Sequence, residues 1–93
     1  MDSPHRYYGE GVAQRIWAQA LVEASPASWE EASIHLTASL RTLEAGDALL
    51  EAARTHVVWG RLCRQFRDLA SASEHFEKAD VQFERAGLAV ERA

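Results

Sequence analysis

The sequence predicts an all-α protein of antiparallel helix-turn-helix repeats, on three observations. Apolar residues recur at three- and four-residue steps along four stretches, while β-branched residues are sparse and never alternate over a strand's length. Leu49 to Gly87 carries two such patterns back to back, and a weaker copy lies earlier in the chain. The clearest echo is Ala32-Ser33-Ile34-His35-Leu36 against Ala72-Ser73-Glu74-His75-Phe76. Self-similarity at a period of 20–50 residues marks a stacked helical array.

The elements follow in order. Residues 1–8 are polar, carry Pro4 and show no period, which predicts a flexible lead-in. The first hairpin spans 9–46. Its first helix is expected to start near Gly9–Val12 and run to about Ala24, with Val12, Ala13, Ile16, Trp17, Ala20 and Leu21 on the apolar face. Ser25-Pro26-Ala27-Ser28 breaks it, because the residue before proline avoids helical geometry. Ser28 and Glu31 have capping-box spacing, so a second helix is expected over Trp29–Ala45 with a seam of Ala32, Leu36, Ser39 and Leu43. Gly46 reads as its left-handed stop.

The second hairpin spans 47–87. Asp47 is a ready N-cap for a third helix from Ala48 to about Gln65, burying Leu49, Ala53, His56, Gly60 and Cys63 or their neighbours. Gly60 in mid-helix costs about 1 kcal/mol relative to alanine, and close approach of a neighbouring helix is the usual compensation. The short turn Phe66-Arg67-Asp68 makes the fourth helix, Leu69 to about Ala86, its antiparallel neighbour. That helix has the seam Ala72, Phe76, Ala79, Phe83 and Ala86, and Gly87 closes it. Residues 88–93 read as a truncated further helix or a cap.

Composition narrows the function. With 47% hydrophobic and 26% charged residues the chain is a globular domain, and at 93 residues it is a single one. A net charge of −4 argues against duplex nucleic acid as a partner. No apolar run reaches the length of a membrane span, and no signal-peptide pattern opens the chain. The single cysteine, Cys63, points to a reducing cytoplasm.

Gly60, Ala72, Phe76 and Ala79 stand in the phase of the small, small, aromatic and alanine positions of the tetratricopeptide repeat, which this chain resembles. Trp59 sits where a bulky apolar residue is usual, while His56, Cys63 and Glu84 replace the family's tryptophan, tyrosine and proline. In the first copy Ala20, Ala32 and Leu36 fit, with Ser39 in place of the second alanine. The period is near 40, not the family's 34, and implies longer helices. It resembles the C-terminal arrays of bacterial signalling ATPases, cyclases and transcriptional activators; a HEAT-like array is the competing fold. The resemblance implies two hairpins of a right-handed α-solenoid with first helices lining a concave surface.

On that phase the inward residues are Gln14, Trp17 and Leu21 of the first helix and Arg54, Val57, Val58, Arg61, Arg64 and Gln65 of the third. Trp17, Leu21, Arg54, Val57, Arg61 and Arg64 are the candidate partner-binding set. Residues 48–68 carry four arginines against Glu51 and Asp68, whereas 69–86 are net acidic, so a basic inner stripe is expected inside an acidic protein. Arginine binds carboxylates bidentately, and Trp17 offers an apolar anchor. The stripe therefore suits an acidic, partly apolar peptide or helix. Solvated arginines paired with nearby glutamates explain the same residues without a ligand. The carboxylate clamp of chaperone-binding relatives is not matched, because Trp17, Leu21 and Val58 stand where lysine and asparagine are needed.

His35 and His75 recur just before a core position and read as structural, since Glu31 precedes His35 by one turn but Ser71 precedes His75. His56 reads as an interior histidine with one hydrogen bond, and Cys63 as a small core residue. No catalytic, cofactor or metal constellation emerges. The expectation is a non-catalytic protein-interaction module, part of a larger cytoplasmic regulator, that self-associates through an exposed end. The alternative is a structural spacer or oligomerisation segment without an external ligand.

Overall fold

Among the described residues four helices form, α2 to α4 where the apolar periodicity places them and α1 from an earlier start: α1 (Pro4–Ala24), α2 (Trp29–Ala45), α3 (Leu49–Gln65) and α4 (Leu69–Arg85). The computed structural model describes residues 4–87, with side chains from Gly9 onward. Expectations for 1–3 and 88–93, including the further helix, lie outside the described residues. Connections this short turn α2 back along α1 and α4 back along α3. Among the described residues the α3 helix seats on both α1 and α2, while α4 packs on α3. The resulting slab measures 38 × 29 × 16 Å. Among the described residues there is no strand, and no helix is long and apolar enough to cross a membrane.

Small residues let the paired helices approach. A Cβ added at Gly60 would lie 2.8 Å from the Phe76 ring, and one at Gly11 would run into the buried Leu43 side chain. The α2 seam is buried as expected at Ala32, Leu36, Ser39 and Leu43, and the α4 seam at Ala72, Ala79 and Phe83, with Phe76 half-buried. Val58, Trp59, Leu62 and Phe66 of α3 pack onto the cluster Ala18, Val22, Ala32 and Leu36, joining the hairpins. Ser39 is satisfied in this core: its hydroxyl donates to the Gly11 carbonyl at 2.7 Å and pairs with the Thr55 hydroxyl at 3.0 Å.

Local details differ from the sequence expectations. The α1 helix begins at Pro4, ahead of Gly9, because proline's preset φ and missing amide suit the first turn. Its buried positions are Gly11, Ala18 and Val22, while Ala13, Ile16, Trp17 and Ala20 are exposed. Ala18, not Ala20, is therefore the small contact residue. The capping box does not form: Ser28 closes a 3-10 turn over Pro26–Ser28, takes φ −81° and ψ 11°, and its side chain makes no cap bond. Nor is Gly46 left-handed; that conformation falls on Asp47 at φ 58°, which thus ends α2 and leaves Ala48 to cap α3. The Asp47 amide donates to the Glu44 carbonyl and the Ala48 amide to that of Leu43 at 2.8 Å, a Schellman ending. Arg67 at φ 63° ends α3 in the same way, and Gly87 at φ 73° follows α4. Asp68 caps α4 by accepting from the Ser71 amide.

Candidate interaction groove

The α1 and α3 helices meet over a short stretch, and beside that contact a groove of about 390 Å³ opens. Arg15 and Gln19 of α1 line it with Arg54, Val57, Val58 and Arg61 of α3 and the edge of Phe83 from α4. Val57 and Arg61 continue into an adjoining recess of about 350 Å³ completed by Arg64 and Phe76. The structure thus gathers Arg54, Val57, Arg61 and Arg64 as the sequence phase implies, on one face of α3. It does not bring Trp17 or Leu21 to them. Trp17 stacks on His35 of α2 with ring centroids 4.4 Å apart, and Leu21 packs against the core cluster.

Arg15, Gln19 and Phe83 take the places expected for Trp17 and Leu21. The signal for them is the pair Trp17-Ala18, which matches Trp59-Gly60; that alignment sets Arg15 against Val57 and Gln19 against Arg61. The structure repeats the pairing, since Trp59 stacks on His75 at 4.3 Å as Trp17 does on His35. Both histidines are held by the tryptophan of the preceding helix, a shared structural role. The Gln14 side-chain oxygen adds a hydrogen bond to His35 Nδ1.

Glu51 organises the charge. Its carboxylate is buried, accepts from Arg15 at 2.9 Å and from Arg54 at 2.7 Å, and its backbone carbonyl accepts from Arg15 at 3.1 Å. Burial pushes the Glu51 carboxyl up, but hydrogen bonds and charge from Arg15 and then Arg54 outweigh it and hold the group below the ordinary carboxylate value. Both guanidiniums meet on the Glu51 carboxylate, and the groove's own lining, with Arg15, Arg54 and Arg61, includes no acidic side chain among the described residues. Arg61 and Arg64 are exposed, and Arg64 lies over the Phe76 ring at 5.7 Å.

On the other side of α3 a second groove, about 520 Å³, separates α2 from α4 and is lined by Leu40, Glu44, His56, Glu77, Lys78 and neighbours. Gln82 spans it by donating to Glu44 at 2.9 Å. The interior histidine finds its partner here: His56 Nδ1 and His75 Nδ1 lie 3.1 Å apart, so one ring donates and the other accepts. Burial, then the nearby His75 and Lys78, lower His56 to about 4; burial, then Lys78, also lowers His75. Cys63 is buried, and burial followed by the Asp68 charge pushes its thiol up, away from an activated thiolate. Among the described residues no three His, Cys, Asp or Glu side chains group closely enough to hold a metal ion.

Comparisons with protein-family models, with curated proteins and with solved structures find no match.

Proposed function

We propose that the chain is a non-catalytic protein-interaction module, two tetratricopeptide-like hairpins of a right-handed array within a larger cytoplasmic regulator, whose α1–α3 groove takes an acidic, partly apolar peptide or helix. One observation carries this reading: Glu51 fixes Arg15 and Arg54 along a groove that also presents Arg61, Val57 and Val58. Guanidiniums positioned in advance lose little freedom when a carboxylate arrives, and the apolar residues between them suit an amphipathic helix. The matched tryptophan–histidine stacks support the reading as two copies of one unit.

The test is fluorescence anisotropy of a labelled helical peptide with glutamate and leucine on alternating faces. Binding is expected to weaken at least tenfold in Arg61→Glu/Arg64→Glu and to weaken with added salt. Absence of binding, or affinity unchanged in a folded double variant, overturns the groove reading. A second reading, a spacer with no external ligand, is favoured by the Glu51 pairing itself, which already satisfies Arg15 and Arg54 within the chain.

A further inference from the structure

The two hairpins have the same join available at three places, and the described residues fill one of them. Within the protein, Val58, Trp59, Leu62 and Phe66 of α3 cover the platform Ala18, Val22, Ala32 and Leu36 of the first hairpin. The tryptophan–histidine stacks set the correspondence between hairpins. By it, Ile16, Trp17, Ala20 and Ala24 of α1 match the covering edge of α3, and Gly60, Arg64, Ala72 and Phe76 match the platform.

Among the described residues the α1 edge is open and the platform is open at Arg64 and along Phe76, while Gly60 and Ala72 lie buried beneath them. Ile16 is 57% and Trp17 54% exposed, although their counterparts Val58 and Trp59 are partly buried. Leu36 is fully buried under α3, whereas its counterpart Phe76 is half-buried beside a recess of about 350 Å³. Charge is complementary as well: Arg61 and Arg64 flank the recess, and exposed Glu23 sits one turn beyond Ala20 on the α1 edge.

We infer that a second copy of this chain occupies the platform, docking its α1 edge through Ile16 and Trp17 over Phe76 and Arg64. The contact repeats between molecules the packing that α3 makes on the first hairpin. It joins two different surfaces, so it is heterologous, and each added copy presents a fresh edge and a fresh platform. The inference rests on the two-hairpin reading but not on a peptide in the groove.

Sedimentation velocity from low to high micromolar concentration tests it. The weight-average mass is expected to rise past twice the monomer's. Ile16→Lys spoils the edge and Arg64→Glu the platform; both sites are exposed, and unchanged melting curves confirm folding. Each variant alone is expected to sediment as a monomer. An equimolar mixture is expected to regain association, because one variant keeps the platform and the other the edge. A wild-type monomer throughout, with the platform left open or filled by the chain's own residues 88–93, overturns the inference. So does a mixture that fails to associate, which would mark a contact between like surfaces. Peptide binding is expected to survive Ile16→Lys, so failure here and failure of the groove reading remain distinct.

Discussion

Gly60→Ala puts the helix packing under direct strain. Two opposed effects act. Alanine improves helix propensity by about 1 kcal/mol. Its Cβ would also lie 2.8 Å from Phe76 Cε1, 2.9 Å from Cζ and 3.0 Å from Cδ1, so the ring or the helix must move. Overpacking of this kind costs about 1–3 kcal/mol, leaving a net loss near 1 kcal/mol. For a domain of this size each kcal/mol shifts the melting temperature by about 4–8 °C. Gly9→Ala is the control: nothing lies within 4 Å of its added Cβ, so the propensity gain of about 1 kcal/mol stands alone. Gly60→Ala/Phe76→Leu supplies the rescue, since it installs the alanine–leucine pair that Ala18 and Leu36 already form in the first hairpin. The double variant is expected to exceed the sum of the single effects by at least about 0.5 kcal/mol. Thermal melts by circular dichroism read wild type, Gly9→Ala, Gly60→Ala, Phe76→Leu and the double variant. A Gly60→Ala protein that melts above wild type refutes the close approach of α3 and α4.

Other outcomes follow from the same structure. Asp47→Gly and Arg67→Gly, at φ 58° and 63°, are each expected to stabilise by about 0.5–1 kcal/mol in urea unfolding, because glycine carries no left-handed penalty. Glu51→Ala is expected to destabilise by about 3 kcal/mol, since it leaves the Arg15 guanidinium partly buried without its carboxylate. Arg54→Ala, at a far more exposed position, is expected to cost under about 1 kcal/mol in the same assay. His56 titrates near 4 when folded and near 6.5 when unfolded, so the unfolded chain binds more protons between those values. Stability is therefore full above pH 6.5 and lost as pH falls toward 4, by about 3 kcal/mol from this group. His56→Phe is expected to flatten that slope in unfolding curves taken across the same range.

The seams of α2 and α4 were legible because each helix has one narrow apolar stripe, and its spacing alone selects the buried residues. The first helix was not, because Val12, Ala13, Ile16, Trp17, Ala20 and Leu21 spread over a wide face. Large apolar residues suggested one phase there, while close packing against Leu43 and Leu36 demanded the small residues Gly11 and Ala18. The same breadth of apolar face points Trp17 and Leu21 toward the groove by phase, whereas the packing of Gly11 and Ala18 turns Arg15 and Gln19 there. Helix ends depend on backbone angles that residue preference only biases: glycine at 46 is favoured for a left-handed stop, yet the chain needs one more residue before it turns. The Arg15–Glu51 pair joins helices far apart in sequence and had no local signature. The His56–His75 pair likewise needs α3 and α4 in register before it exists.

The paired-hairpin architecture is tested most directly by proton–proton Overhauser contacts among the aromatic rings. The ring protons of Trp17 are expected to report on His35, and those of Trp59 on His75, as their 4.4 and 4.3 Å centroid separations require. Two such pairs, one in each hairpin, bear out a repeated unit. Contacts in one hairpin alone, or tryptophans that report on neither histidine, contradict it.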